Sequence, residues 1–306
     1  MRHRDFDRSA DRLSALIDLP GADLTTALLG LARDRAERRT PAQVLDQYER
    51  DRFVGPTPTD AVRLAEISYR ALSTLTPMFE AINLSPVAPF AMHAAIARVS
   101  QNNVVTTMRG SEVAADPTTA LAMEAAVRRR IERRTDDRTC ERIRLSAVQR
   151  VTRAQEFSGP RSFAHFTLLG LVTAGRSMGN RLFEFESIVE HVLSLAAVLR
   201  AAGFERTVAR LTDHSGAMGD VLTRAHLSLD GPTLQCRFDG ERTSGRAYYT
   251  NLCLKLSVVT RDGEEVEVGD GGFVDWTQQL LHSRKERCMT SGISIERLAM
   301  LTQLTS

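Results

Sequence analysis

The stretch Arg142–Gly175, RIRLSAVQRVTRAQEFSGPRSFAHFTLLGLVTAG, decides the fold. RIRLSAVQRVTRA alternates in the manner of a strand, and AHFTLLGLVTAG reads as a second one. Between them lies a polar loop with Gly159-Pro160, so the two predict an antiparallel pair joined by a longish connection. Arg153 stands where the first strand meets the loop, Arg161 lies within the loop, and Phe166 opens the return strand. A strand arginine can hold a phosphate through two donors. A loop rich in Gly, Pro and Arg can fold over a triphosphate, and an aromatic on the return strand can stack on a base.

On the C-terminal side, SIVEHVLSLAAVLRAAGF predicts a strong helix stopped by Gly203. RTVARLTD, YYTNLCLKLSVVT and VEVGDGG read as strands, with a polar turn at Gly240–Gly245 and another at RDGEE. GISIERLAMLTQL begins as a strand and becomes a helix, with Arg297 near the helix start. On the N-terminal side, DAVRLAEISYRALSTL is an amphipathic helix and TALAMEAAVRRRIERR a long one. FEAINLSPVAPF is strand-like, but Pro86 and Pro89 demote it to an edge or kinked strand. MHAAIARVS fits a short helix or a strand, and VVTTM (104–108) a strand. Residues 1–55 are helical and charged, with Thr40 capping a helix that Pro41 opens, and Gly55-Pro56-Thr57-Pro58 breaks the chain after them. The predicted organisation is a helical arm over residues 1–55 and one core over residues 56–306. Antiparallel strands alternating with long helices predict an α+β fold rather than a doubly wound parallel sheet.

The 306 residues carry a net charge of +2, with 25% charged and 42% hydrophobic residues, so composition makes no case for a nucleic-acid or membrane-surface partner. Cys140, Cys236, Cys253 and Cys288 are far apart and form no CxxC pair, so reduced buried thiols are expected rather than a zinc site or disulfides. The N-terminus has no signal-peptide core, and no apolar run has the length of a membrane span, so a cytoplasmic protein is expected.

Five pieces, in order, resemble class II aminoacyl-tRNA synthetases, nearest the histidyl branch. TRAQEF resembles the "FRxE" opening of motif 2, and AHFTLLG its return strand. RAYYTNLCLK and GGFVDWTQQL resemble the "LxYYxxxxFE" and "GGRYDxL" segments, and GISIERLAML the "GxGxxRL" of motif 3. The resemblance implies a class II antiparallel sheet flanked by helices, working as a homodimer with ATP and Mg²⁺. It places Arg153 on the α-phosphate and the substrate carboxylate, Gln155 where the family usually has glutamate, Arg161 on the outer phosphates, Phe166 on adenine and Arg297 on the γ-phosphate. The proline of the dimer-forming motif 1 falls at Pro86 or Pro89. The family's amine-gripping "RPExT" has two competing places, Arg109 with Glu112 and Asp116 with Thr118. Tyr249, Arg246 and Asp275 complete the substrate-side candidates, and no residue is assigned to bind a metal directly.

The departures bear on the substrate. Ser244 stands where histidyl enzymes have an arginine, with Arg246 nearby to substitute. Phe273 and Val274 replace the Arg-Tyr of GGRYD, and Leu168 and Val172 replace the glutamine and glutamate of the return strand. The groups that would read an imidazole are gone, so histidine is not the expected substrate. The sequence runs only a few residues past the motif 3 helix, without an anticodon-binding domain, so conventional tRNA charging is not expected unless the arm supplies RNA contacts. The expected function is AMP-forming activation of an amino or carboxylic acid, with acyl transfer to a small-molecule or carrier acceptor. The alternative is a non-catalytic paralogue resembling the histidyl-synthetase-like subunit of ATP phosphoribosyltransferase. Bland readings stand beside these: Tyr248 and Tyr249 as sheet residues, Asp275 as a helix cap, His165 and His191 as structural, and the Arg128–Arg134 run as a solvated helix face or a phosphate-contacting patch.

Overall fold

A computed structural model describes residues 14–134, 141–155 and 163–303. Its centre is an eight-stranded sheet, and the predicted pair forms its heart. β4 (Ile143–Thr152) and β5 (His165–Arg176) run antiparallel in register from Ile143↔Ala174 to Thr152↔His165. The sheet is completed by β1 (Glu80–Ala81), β6 (Thr207–Asp213), β7 (Leu234–Phe238), β8 (Leu252–Val259), β9 (Glu265–Val274) and β10 (Glu286–Ser294), in the order β1-β4-β5-β10-β9-β8-β6-β7. Every neighbouring pair from β4 to β6 is antiparallel, and only the edge strands β1 and β7 join in parallel. The architecture is the expected α+β one.

The helices follow from their apolar spacing. In chain order they are α1 (Gly21–Glu37), α2 (Pro41–Arg50), α3 (Ala61–Leu75), α4 (Met92–Ala97), α5 (Pro117–Arg134), α6 (Leu182–Ala201), α7 (Gly219–Leu229), α8 (Trp276–Leu281) and α9 (Ile295–Gln303). Thr40 and Gln43 form a capping box at α2, and Asp60 accepts from the Arg63 amide at α3. Helices α1 and α2 bury no side chain. None of the described helices is long and apolar enough to cross a membrane.

Period 2 in the strands divides the interior into two cores. On one face Leu169, Leu171, Met289 and Ile293 pack under α3, α6, α7 and α9. On the other, Leu145, Val172, Ala174 and Cys288 pack under α5, Trp276 and Tyr249. Helix α6 brings His191 into the first core, where it bonds Ser291 and Thr173 and meets the Phe79 ring edge-on at 5.3 Å. It is structural, as expected. Complete burial lowers its pKa to about 3. Between that value and the ordinary one the unfolded chain binds a proton that the folded chain does not, so stability falls as pH drops. The expected slope from this residue is about 1.4 kcal/mol per unit below pH 6. Urea melts at pH 7 and pH 5 should show a smaller loss for His191→Gln than for the wild type.

Several local expectations change. VVTTM is not a strand: it bonds the hairpin strand β3 (Ser111–Val113) through Val105 and Thr107, but a 3₁₀ turn at Gln101–Asn103 and the turn at Met108–Gly110 leave room for one bridge, Thr106↔Glu112. FEAINLSPVAPF divides, with β1 joining the large sheet and β2 (Val87–Pro89) pairing β3 in a separate two-stranded sheet. Tyr248 and Tyr249 are not sheet residues, because the turn at 244–248 delays β8 to Leu252. The 128–134 run is not all solvated. Arg129 is fully buried against Glu286 of β10, while Arg128 pairs with Glu80 and Glu124. Helix α7, β7 and most of β10 are elements that the sequence reading did not assign. Cys236, Cys253 and Cys288 are free and buried, and Cys140 lies outside the described residues.

Candidate functional site

Helix α5 covers only part of the second sheet face. Beyond its N-terminal end the middle strands β5, β10 and β9 stay open and form the floor of a cavity of about 460 Å³, within the roughly 300–1,000 Å³ of small-molecule sites. Phe166, Leu168, Thr290, Gly292, Ser294 and Asp270 line it, the residues whose strand parity puts them on this face. The roof comes from the start of α5 (Asp116–Thr119), from the Gly245–Tyr249 turn and from His93 and Ala97 of α4.

Arg153 and Arg297 both line this cavity. Arg153 continues β4 past its last residue and donates Nε to the Ala115 carbonyl at 2.9 Å. One terminal nitrogen reaches Asp116 at 3.1 Å, and the guanidinium lies 5.2 Å over the Phe166 ring. Arg297, in the first turn of α9, donates to the Glu267 carbonyl at 2.6 Å. Its neighbour Glu296 is buried and accepts from Thr57 and from the Thr167 amide, which ties the 55–57 segment to the cavity wall. His165 bonds Arg150 and the Gly55 carbonyl, a structural placement. Gln155 lines the cavity and is exposed. Arg161 lies outside the described residues.

The substrate-side candidates separate. Asp116, Thr118 and Tyr249 line the cavity. Asp116 accepts from the Thr118 amide and hydroxyl at 2.8 and 2.6 Å. Glu112 does not line the cavity. It is fully buried and holds the α4 entrance by accepting from the amides of Ala91 and His93 and from Gln101. Those donors fill it, so of the two places for an amine grip only Asp116–Thr118 faces the cavity. Arg109 is exposed and does not line it. Arg246 and Asp275 line a smaller neighbouring crevice instead. Asp275 makes no side-chain cap bond and pairs with Arg98 at 3.3 Å. The two tyrosines meet edge to face at 4.9 Å, and burial holds both phenols well above their usual pKa. Burial keeps His93 below its usual range against the pull of Asp116 and Glu112, and its Nε2 accepts from the Ala115 amide.

Asp270, Glu267, His93 and Thr290 are cavity residues that sequence reasoning did not single out. For Asp270 a signal existed, an acid between glycines in GDGG. Gly272 gives the Tyr249 ring its seat, since a Cβ there would stand 2.6 Å from Tyr249 Cδ1. Among the described residues no group of three or more His, Cys, Asp or Glu is placed to hold a metal ion.

No family model and no curated protein matches this sequence. Solved structures do. The apo histidyl-tRNA synthetase of S. aureus superposes with a TM-score of 0.63 at 14% identity, over 83% of this chain and 69% of that one. An ATP phosphoribosyltransferase regulatory subunit/histidyl-tRNA synthetase from Bacillus halodurans C gives 0.57 at 13%, over 81% and 83%. A pyrrolysyl-tRNA synthetase from Desulfitobacterium hafniense gives 0.50 at 15%, over 86% and 75%. At such identities the likeness is one of fold, and the fold is a class II aminoacyl-tRNA-synthetase-like core.

Proposed function

We propose that this class II synthetase-like core binds ATP with an amino or carboxylic acid and joins them as an acyl-adenylate, releasing pyrophosphate. The observation that carries the reading is that Arg153 and Arg297, distant in sequence, line one cavity on the open sheet face. In the reaction a substrate carboxylate oxygen attacks the α-phosphorus, and the bond to the bridging oxygen of pyrophosphate breaks. The Arg153 guanidinium, anchored by Ala115 and Asp116, meets the charge that builds at the α-phosphate. Arg297, anchored by the Glu267 carbonyl, takes the outer phosphates, and Phe166 offers a face to the base. Magnesium entering with the triphosphate needs one or two protein carboxylates. Glu267 of the cavity wall would hold the ion by giving up its pair with Lys255 at 2.9 Å, and the ion would neutralise phosphate charge. In a second step an acceptor nucleophile takes the acyl carbon and AMP departs. The acceptor in this reading is a small molecule or carrier rather than tRNA, and the working form is a homodimer.

The test is ATP–pyrophosphate exchange with pooled amino acids and carboxylic acids. Arg153→Ala and Arg297→Ala should each lose roughly 100-fold or more in exchange. A wild-type protein that binds no ATP sinks the reading. Gln155, neutral where the family usually has an acid, favours a second one: a non-catalytic regulator that senses a small molecule in this cavity. The B. halodurans neighbour, named for a regulatory subunit of ATP phosphoribosyltransferase, is in keeping with it. Binding of the acid without pyrophosphate exchange, together with co-purification of a phosphoribosyltransferase, would select the regulator.

A further inference from the structure

The helical arm meets the core at a junction that bonds both arginine-bearing walls of the cavity. Helix α2 ends at Arg50, and Asp51 turns the chain: its carboxylate accepts from the Phe53 amide at 3.0 Å and its carbonyl from the Val54 amide at 3.1 Å. Arg52 leaves this turn toward the core, its guanidinium 4.4 Å over the Phe53 ring. One terminal nitrogen donates to the Ala154 carbonyl, and the other to the Gln155 carbonyl at 3.4 Å. Both carbonyls follow directly on Arg153. Strand β4 ends at Thr152, and the last bond to the return strand is that of the Arg153 amide to the Ala164 carbonyl at 2.7 Å. Past that point the Asn103 carbonyl holds the Ala154 amide at 3.0 Å, and Arg52 holds the two carbonyls.

The same segment then bonds the opposite wall. The Gly55 carbonyl accepts from His165 Nε2 at 2.7 Å, and the Thr57 hydroxyl donates to Glu296 at 2.6 Å. Glu296 is 2% exposed and stands next to Arg297 in the first turn of α9. Its other oxygen accepts from the Thr167 amide at 3.2 Å, so one carboxylate links the junction, β5 and α9. None of the described residues of the arm lines the cavity. We infer that Arg52 and Thr57 are positioning residues of the cavity, which fix the walls carrying Arg153 and Arg297 relative to one another. A phosphate chain spanning two arginines on separate elements needs their spacing set before it arrives. One short segment bonded to both elements sets it. This rests on the reading of Arg153 and Arg297 as the phosphate-binding pair.

The test uses the full chain with Arg52→Ala, Arg52→Lys and Thr57→Val. Arg50→Ala is the control, since Arg50 bonds the Asp46 carbonyl of its own helix at 2.9 Å. ATP affinity by calorimetry and ATP–pyrophosphate exchange are read well below the melting temperature of every variant. Amide hydrogen exchange is followed by mass spectrometry on the ligand-free chain. Arg52→Ala and Thr57→Val should each weaken ATP binding and lower pyrophosphate exchange roughly tenfold or more, with Arg50→Ala at the wild-type level. Arg52→Lys, a point charge in place of a fork, should recover part of the loss. In the free chain Arg52→Ala should speed amide exchange at residues 152–155 and Thr57→Val at residues 295–298, while β8 stays unchanged. A tie that merely stabilises the arm would lower the melting temperature and leave ATP affinity at the wild-type level, and that result overturns the inference. An Arg50→Ala loss equal to that of Arg52→Ala overturns it too. A wild-type chain that binds no ATP fails the adenylation reading instead, and amide exchange then judges the junction. Local acceleration at both walls supports it, and unchanged exchange at either overturns it.

Discussion

Replacing Arg129 with methionine is expected to cost about 3–5 kcal/mol of stability, because it strands a buried carboxylate. Arg129 is 0% exposed and holds Glu286 through two bonds, Nε at 3.1 Å and a terminal nitrogen at 3.2 Å, with Glu132 on its other terminal nitrogen at 3.0 Å. Glu286 is 1% exposed and opens β10, one of the three strands that form the cavity floor. Removing the cation leaves Glu286 charged in the interior or forces it to take a proton. The double variant Arg129→Met with Glu286→Leu is expected to recover most of the loss, since a hydrophobic pair of similar volume is often as stable as a buried ion pair. Chemical denaturation of the two variants decides it. A single variant within about 1 kcal/mol of wild type would show that water reaches this pair.

Gly269→Ala is expected to cost about 3 kcal/mol, at the upper end of overpacking losses. A Cβ at Gly269 would stand 2.1 Å from the Gly292 carbonyl oxygen and 2.9 Å from the Ile293 Cα. Backbone on the neighbouring strand cannot swing away as a flexible side chain can. Relief therefore requires β9 and β10 to part at Ile293↔Gly269, next to the irregularity between Leu256 and Ser257 on β8. Because Gly269 and Gly292 both line the cavity, the same variant should weaken ligand binding as well as lower Tm. A wild-type melt for Gly269→Ala would mean that the two strands slide freely at this point.

How much of this was legible beforehand varied with the range of the interaction. The strand pair 142–175 was readable because alternation and a Gly-Pro loop are local signals, and helix α6 because its apolar spacing and Gly203 stop are local too. Strand β10 was read only at its C-terminal end. Its ERCMTS portion is short, mixed and buried on both faces, so it lacks the alternation that marks a half-buried strand. Helix α7 went unread for a related reason, since only Val221, Ala225 and Leu229 of its residues are buried, a narrow stripe in a polar segment. For the cavity, Arg153, Phe166 and Arg297 were found through motif order. Asp270 was not, because GDGG shows only an acid between glycines, and the packing of neighbouring elements decides that it faces the cavity.

By itself the sequence determined the antiparallel strand pair, the long helices, their caps and the two arginines, all features carried by periodicity, turn chemistry or residue type within a short window. The tertiary structure decided which of the chemically similar residues share a space. Glu112 and Asp116 are four positions apart in one chain segment, yet the strand-to-helix turn buries the first under α4 and leaves the second in the cavity. Arg246 and Asp275 carry suitable charges and are turned into another crevice. Arg129 reads as one more arginine on a charged helix and is fully buried. The physical reason is the same in each case. Sequence spacing sets the face of an element on which a side chain lies, but only the packing of a second element against that face determines whether it meets a partner, a ligand or water.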